Sequence, residues 1–144
     1  MKISILGVLV GGVVDVASSV VAGLPLALYS TFRLDPSQRM GPHASEAVTA
    51  AIHADFPVYL AQLVIGFLCS ILGGYVAALI AKRNERLNGT LSCYLCVGMG
   101  VVALFLGLEK DPYWLQFLLL ISSPALAFVG GDLRLRQRLA KSEA

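Results

Sequence analysis

The sequence predicts an all-α membrane protein, a bundle of four transmembrane helices arranged as two helical hairpins. Of its 144 residues, 57% are hydrophobic and only 14% are charged, whereas a soluble domain carries about 25% charged residues. The apolar residues also stand in four long blocks of roughly 20 residues, the length that crosses a bilayer as a helix. The net charge of only +2 argues against a nucleic-acid partner, so the expected partner is the lipid bilayer.

The four blocks form one transmembrane domain that takes in the whole chain, 1–144. The first block begins after Lys2, as a signal peptide would, but it stays apolar past Asp15 as far as Tyr29. This is longer than the core of a signal peptide, so we expect the block to remain as a helix. The predicted spans cover residues 3–29, 57–81, 88–108 and 113–131.

The basic residues predict the orientation of these spans. If the four helices alternate in direction, eight of the eleven Lys and Arg residues lie on one side, at Lys2, in the turn before residue 88 and in the tail 132–144. The positive-inside rule makes that side cytoplasmic, so we expect a cell inner-membrane protein with both termini in the cytoplasm. A basic tail can bind anionic lipid headgroups or can serve only to set the topology. The tail residues concerned are Arg134, Arg136, Arg138 and Lys141.

The connection 30–56 is the one long loop, and it lies on the outer side in this topology. Val48 and Ile52 recur four residues apart with alanines beside them, which predicts a short amphipathic helix in the second half of the loop. His43 precedes that helix and His53 lies within it, but their spacing matches no metal-binding motif. We therefore expect neither a metal nor a cofactor.

Small residues recur at about every fourth position along the first span, so a helix stacks them on one face. Such a face lets the backbone of a second helix come close, and similar faces follow in the second and third spans. Small faces beyond those that four helices need would favour a homo-oligomer or a larger membrane complex. Close helix packing is predicted at Gly7, Gly11, Ser19, Gly23, Gly66, Gly73, Gly74 and Gly100.

Two Gly-Gly pairs stand in similar surroundings, at residues 71–75 in the second span and 128–132 in the fourth. Two hairpins related by an axis along the membrane normal would produce such a repeat. Chance similarity between glycine-rich helices would produce it equally well.

Pro124 stands in the middle of the fourth span. Proline has no N–H, so it removes one helical hydrogen bond and predicts a hinge or bend at this point. The carbonyl group near Leu120 then lacks its usual donor. Ser122 and Ser123 stand close enough in sequence to help satisfy it.

The segment Gly73–Lys82, followed by Asn88-Gly89, resembles small bacterial four-helix integral membrane proteins of uncharacterised function. These proteins share a Gly-Gly-aromatic-x-Ala segment, a short basic turn and a polar-Gly pair that opens the next helix. The resemblance covers the stretch from Gly66 to Gly100. It implies a helical bundle in a bacterial inner membrane and supplies no activity.

Asp15 lies near the middle of the first span, on the face of small residues. A carboxyl group at that depth costs several kcal/mol if it faces lipid, so it should face the bundle interior. No Lys or Arg lies at the same depth in any span, so the neutral acid is favoured. Ser70, Ser122 and Ser123 lie at the same level as candidate partners. The cluster is either a proton or ion site or an interhelical hydrogen bond.

Cys93 and Cys96 have the spacing of a redox dithiol, and four-helix membrane oxidoreductases with such pairs exist. Those enzymes need further accessible thiols to relay electrons, whereas the only other cysteine here is Cys69, inside a span. Both cysteines also fit the small-residue face of the third span. Packing is therefore the favoured interpretation.

These observations leave three functions. The first is a non-enzymatic scaffold or accessory subunit of the inner membrane, because the sequence contains no nucleotide-binding loop, catalytic triad or metal-ligand cluster. The alternative is a small proton- or cation-coupled transporter or channel element that uses Asp15. The third is a membrane thiol oxidoreductase that uses Cys93 and Cys96.

Overall fold

The computed structural model describes residues 3–106 and 113–142, so the end of the predicted third span, at 107–108, lies outside the described residues. Within these two ranges every regular element is helical. The elements are α1 (Ile5–Arg33), α2 (Pro36–Arg39), α3 (Ala44–Ala54), α4 (Phe56–Ala81), α5 (Glu85–Ser92), α6 (Tyr94–Phe105) and α7 (Tyr113–Ser142).

Four segments among the described residues are long and apolar enough to cross a membrane: α1, α4, α5 together with α6, and α7. The predicted four-span all-α fold is therefore confirmed. The third segment is interrupted at Cys93, a single turn residue between α5 and α6. The fourth helix runs through Pro124 and continues along the basic tail to Ser142, instead of ending near Gly131.

Large hydrophobic side chains lie on the outside of the helices, and polar side chains lie inside. Ile121 and Leu68 are 72% and 60% exposed, whereas Asp15 and Asn88 are 2% and 0% exposed. In water, so much exposed apolar surface would mark an aggregation or binding site. In a bilayer the hydrocarbon replaces water around these side chains, and polar groups belong in the interior. The chain is a multi-pass membrane protein.

Contacts divide the chain into two compact units, Met1–Ala17 with Phe67–Ala144, and Ser18–Gly66. The second unit contains α2, α3 and the adjoining parts of α1 and α4. In it, Arg33 Nη1 lies 2.9 Å from Asp55 Oδ2 and so ties the end of α1 to the residue before α4. The amphipathic helix predicted in the long loop is present as α3, which buries Ile52.

The first unit is a four-helix bundle with a core of small residues. Ala77, Ala78 and Ala127 are completely buried. At Gly74 the backbone of α4 touches that of α7, because a Cβ atom added there would lie 2.8 Å from the C and Cα atoms of Ala127. Helices that approach this closely gain contacts between backbones, which is the main source of helix association in lipid.

The two Gly-Gly pairs make different contacts. Gly73 faces α1, the partner of α4 in the first hairpin, whereas Gly130 faces α4, which belongs to the other hairpin. Conversely, Gly74 faces α7 and Gly131 faces α5. Equivalent residues of a true repeat would have equivalent neighbours, so these contacts favour chance similarity over an internal repeat.

Charged residues from the α4–α5 turn and from the last part of α7 meet at one end of the first unit. Asp132 accepts hydrogen bonds from Arg86 Nε at 2.7 Å and from Arg136 Nε at 2.6 Å. Arg138 pairs with Glu85 and donates to the carbonyl oxygen of Lys82 at 2.9 Å. The two basic clusters predicted to share one side of the membrane therefore lie together.

Candidate functional site

Asp15 lies in the interior of the first unit, as its position on the small-residue face predicts. Gly73 of α4 makes this possible, because a Cβ atom on residue 73 would lie only 2.7 Å from the Cβ atom of Asp15. The preceding turn of α1 is equally close, since a Cβ atom on Gly11 would lie 2.6 Å from the carbonyl oxygen of Gly73. The carboxyl group therefore enters a space that only glycines leave open.

Side chains from two other helices contact the carboxyl group. Ser70 Oγ, on α4, lies 3.3 Å from both Oδ1 and Oδ2 of Asp15 and donates to them. Cys96 Sγ, on α6, donates to Oδ2 at 3.1 Å. Both of these donors are neutral. The carboxyl group thus joins three helices, α1, α4 and α6, at one buried point.

Of the three serines predicted beside Asp15, Ser70 is the one whose hydroxyl group is hydrogen-bonded to the Asp15 carboxyl group. Ser122 donates instead to the carbonyl oxygen of Leu119 on its own helix, at 3.0 Å. The Ser123 oxygen is buried, and it has no hydrogen-bond partner among the described residues. Both serines therefore lie outside the Asp15 hydrogen-bonded cluster.

Cys96 is the partner of Asp15 that sequence reasoning missed. Its position in the small-residue pattern of the third span suggested packing, and the pattern alone did not show which helix it faces. The two thiols of the predicted dithiol point to different acceptors, since Cys93 Sγ lies 2.9 Å from the carbonyl oxygen of Thr90. All three cysteines are free thiols.

A cavity of about 210 Å³ lies between α6 and α7, next to this cluster. Cys96 forms part of its wall, so the residue whose thiol donates to Asp15 also borders the cavity. The remaining wall includes Gly100, Gln116, Leu120 and Ser123. Both apolar and polar side chains therefore line this space.

No protein-family model, curated protein or solved structure matches the chain. The interpretation of the site therefore rests on its own chemistry. In the part of the chain that the structure describes, no group of three His, Cys, Asp or Glu side chains is placed to hold a metal ion.

The predicted packing glycines fall into two groups. Gly7, Gly11, Gly73, Gly74 and Gly100 all lie close to a neighbouring helix; at Gly7, for example, an added Cβ atom would be 2.8 Å from a carbonyl oxygen of α4. At Gly23 and Gly66, by contrast, an added Cβ atom would have no neighbour within 4 Å. Among the described residues, no helix makes the close approach predicted at these two positions. Ser19 is half-buried.

Asn88 has a structural role that the sequence did not reveal. Its Oδ1 atom accepts a hydrogen bond from the amide of Ser4 at 2.8 Å, and its Nδ2 atom donates to the carbonyl oxygens of Arg83 and Asn84 at 2.8 and 3.1 Å. It therefore joins the start of α1 to the α4–α5 turn, where Asn84 has a positive φ of 48°. The only sequence signal was the polar-Gly pair Asn88-Gly89.

The four residues predicted to bind lipid headgroups differ in their surroundings. Arg136 and Arg138 form the ion pairs with Asp132 and Glu85 described above, which compete with any headgroup. Lys141 is exposed and Arg134 is half-exposed, both in the last turns of α7. The geometry thus leaves Lys141 and Arg134 as the better candidates for lipid contact.

Proposed function

We propose that this protein is a non-enzymatic scaffold or accessory subunit of the inner membrane. One observation supports this most directly: α4 and α7 touch backbone to backbone at Gly74 and at Gly130. Helices in such contact cannot slide or separate without losing dispersion contacts along their whole interface. A bundle built in this way is suited to hold a fixed shape in lipid.

The Asp15 cluster fits the same function. A buried carboxyl group that accepts from Ser70 and Cys96 links three helices, and it sets their rotation as well as their separation. Interhelical hydrogen bonds of this kind contribute about 0.6–2 kcal/mol each within a membrane. The cluster therefore serves specificity of packing more than raw stability.

We also propose that a helix of a second copy or of another subunit packs against this bundle. Gly23 and Gly66 have the small-residue spacing of packing faces, yet the space beside each of them is open. A second copy or another subunit would find room there for a close approach. We expect the wild-type protein to be an oligomer in mild detergent, as judged by its molecular mass. The Gly66→Leu variant should be a monomer under the same conditions.

We place both termini in the cytoplasm. The two basic clusters meet at one end of the first unit through Arg86, Asp132 and Arg138, and the positive-inside rule assigns such an end to the cytoplasm. A reporter that folds only in the cytoplasm should be active when it is fused after Ala144. A reporter that is active only on the outer side should be inactive at the same position. The opposite pattern would reverse the topology.

The second candidate is a proton- or cation-coupled transport element centred on Asp15. The observation that favours it is that Ser70 and Cys96, the donors to the carboxyl group, are both neutral. Because an ionised carboxylate is costly among neutral groups in low dielectric, such an acid can change charge when a proton or cation arrives. Intramembrane acids often mark ion pathways for this reason.

Flux measurements in proteoliposomes separate the two functions. The scaffold predicts no proton, Na⁺ or K⁺ flux from the wild-type protein, in vesicles that hold a pH or cation gradient. A flux that disappears in Asp15→Asn would refute the scaffold and support the transport element. A flux that persists in Asp15→Asn would refute both, since Asn keeps an acceptor oxygen and removes only the charge change. Ser122→Ala is the matched control, because that hydroxyl bonds within its own helix.

A further inference from the structure

The cavity between α6 and α7 has a mostly apolar wall that includes two polar side chains of α7, Gln116 and Ser123. The Ser123 oxygen is buried, borders the cavity and has no hydrogen-bond partner among the described residues. Gln116, only 8% exposed, borders the same cavity seven residues earlier. Seven residues are about two helical turns, so the two polar side chains occupy one face of α7.

Pro124 adds a third polar group on this face. Its missing N–H removes the regular donor to the carbonyl oxygen of Leu120, and Leu120 is itself part of the cavity wall. Ser123 has a hydroxyl in the adjacent turn, yet that hydroxyl forms no bond to any described group. The Ser123 hydroxyl therefore lies within one helical turn of a carbonyl group whose regular N–H donor the proline removes.

Water satisfies these groups better than any other small molecule. A buried hydroxyl without a partner costs about 1–3 kcal/mol, and a water molecule with two to four hydrogen bonds removes that cost. One water needs about 10–15 Å³ of such space, whereas the cavity offers about 210 Å³. The cavity therefore has room for water beside the Ser123 hydroxyl.

We propose that this cavity is a hydrated site. Only the thiol group of Cys96 then separates its water from the carboxyl group of Asp15. Cys96 connects the two places, because this residue borders the cavity and its Sγ atom donates to Asp15 Oδ2 at 3.1 Å. Water molecules beside Gln116 and Ser123 can exchange protons with the thiol of Cys96. Because this thiol donates to Asp15, the buried carboxyl group is connected to the same water. The inference rests on the cavity, and it holds for a scaffold as well as for a transport element.

Hydrogen–deuterium exchange of the thiols tests this directly. The infrared S–D stretching band lies clear of protein and D₂O absorption, and it grows as each thiol exchanges S–H for S–D. In lipid nanodiscs transferred to D₂O, the wild-type protein should show one fast thiol and two slow ones. Cys96→Ala should remove the fast band, because Cys69 and Cys93 are buried in the bundle core. If all three thiols exchange slowly, the cavity is dry or holds an acyl chain, and the proposal is wrong.

Filling the cavity provides the second arm of the test. Ser123→Leu should slow exchange of the Cys96 thiol by about tenfold or more, since exchange then waits for opening of the bundle. Ser122→Ala, one residue away, should leave the rate unchanged because its hydroxyl is bonded to Leu119. Equal rates in these two variants would overturn the proposal.

A third variant covers the case in which Ser123→Leu does not fold. Gly100→Ala narrows the cavity from α6, and its Cβ atom would meet only the mobile end of Leu120, at 2.9 Å from Cδ2. It should slow the fast thiol, and an unchanged rate would count against the hydrated site. Ion flux is a separate measurement. Fast thiol exchange without flux supports the hydrated cavity and is compatible with the scaffold function. Flux with slow thiol exchange rejects the hydrated cavity but not the transport function.

Discussion

Replacing Gly74 with alanine should force α4 away from α7. The added Cβ atom would meet the oxygen, C and Cα atoms of Ala127, which are backbone atoms and cannot rotate aside. The C and Cα atoms would lie 2.8 Å away, whereas ordinary contact begins at 3.4 Å, so the backbones must separate by at least 0.6 Å (3.4 − 2.8).

The size of the effect follows from two opposing contributions. Overpacking of a close contact costs about 1–3 kcal/mol, and more when the backbone has to move. Alanine also favours the helix over glycine by about 0.5–1 kcal/mol. Because the separated helices also lose dispersion along their interface, the steric cost is the larger, and we expect a net loss of about 2 kcal/mol in the free energy of unfolding.

Equilibrium unfolding in mixed micelles measures this loss, with helical circular dichroism as the signal at rising mole fraction of dodecyl sulfate. Gly130→Ala should behave in the same way, because its Cβ atom would meet the backbone of α4 at Ile71 and Tyr75. Gly98→Ala, inside α6, is the matched control, because none of the proposed helix contacts involves this residue. Its Cβ atom would have no neighbour within 4 Å, so stability should stay constant or rise by up to about 1 kcal/mol.

A result in which Gly74→Ala is as stable as Gly98→Ala would refute the reasoning. It would mean that the backbones of α4 and α7 lie farther apart at Gly74 than the structure shows, with room for a Cβ atom. The scaffold proposal would lose its main support in that case.

The remaining predictions concern the polar contacts of the bundle. Asp15→Ala should lower the free energy of unfolding by about 1–3 kcal/mol because two donors lose their acceptor, and Asp15→Asn should lower it less; equal losses would contradict the hydrogen-bonded cluster. Asn88→Ala should cost about 1–3 kcal/mol and should speed hydrogen exchange at the Ser4 amide, which it leaves without an acceptor; an unchanged Ser4 rate would argue against that contact. Asp132→Asn should weaken the two arginine pairs at the membrane surface, and the difference from wild type should shrink at high salt; an effect independent of salt would mean that the pairs are not electrostatic in origin.

The location of the four spans was predictable because hydropathy is a local property of the chain. A run of about 20 apolar residues identifies a span whatever it packs against. The break at Cys93 and the extension of α7 to Ser142 were not predictable in the same way. The extension of α7 brings Asp132 and Arg138 into ion pairs with Arg86 and Glu85, and such contacts between distant parts of the chain cannot be read from local hydropathy.

The partners of Asp15 were only partly predictable. Its inward orientation follows from the cost of placing a carboxyl group in lipid, and the structure places it inside. Depth along the spans suggested Ser70, Ser122 and Ser123 equally, but depth does not give the rotation of a helix about its axis. One residue step turns a helix by about 100°, so neighbouring serines on α7 face different directions, and Cys96 on α6 faces the acid.

The small-residue pattern shows the same division. Every glycine in it was suited to a close contact, yet Gly74 lies against a backbone whereas Gly23 and Gly66 face open space. The amino-acid order by itself determined a four-span protein with an acid buried in the middle of its first span, since transfer of each side chain into hydrocarbon depends on that side chain alone. Only the tertiary structure decided which faces meet, because that outcome depends on how several helices rotate and fit at once.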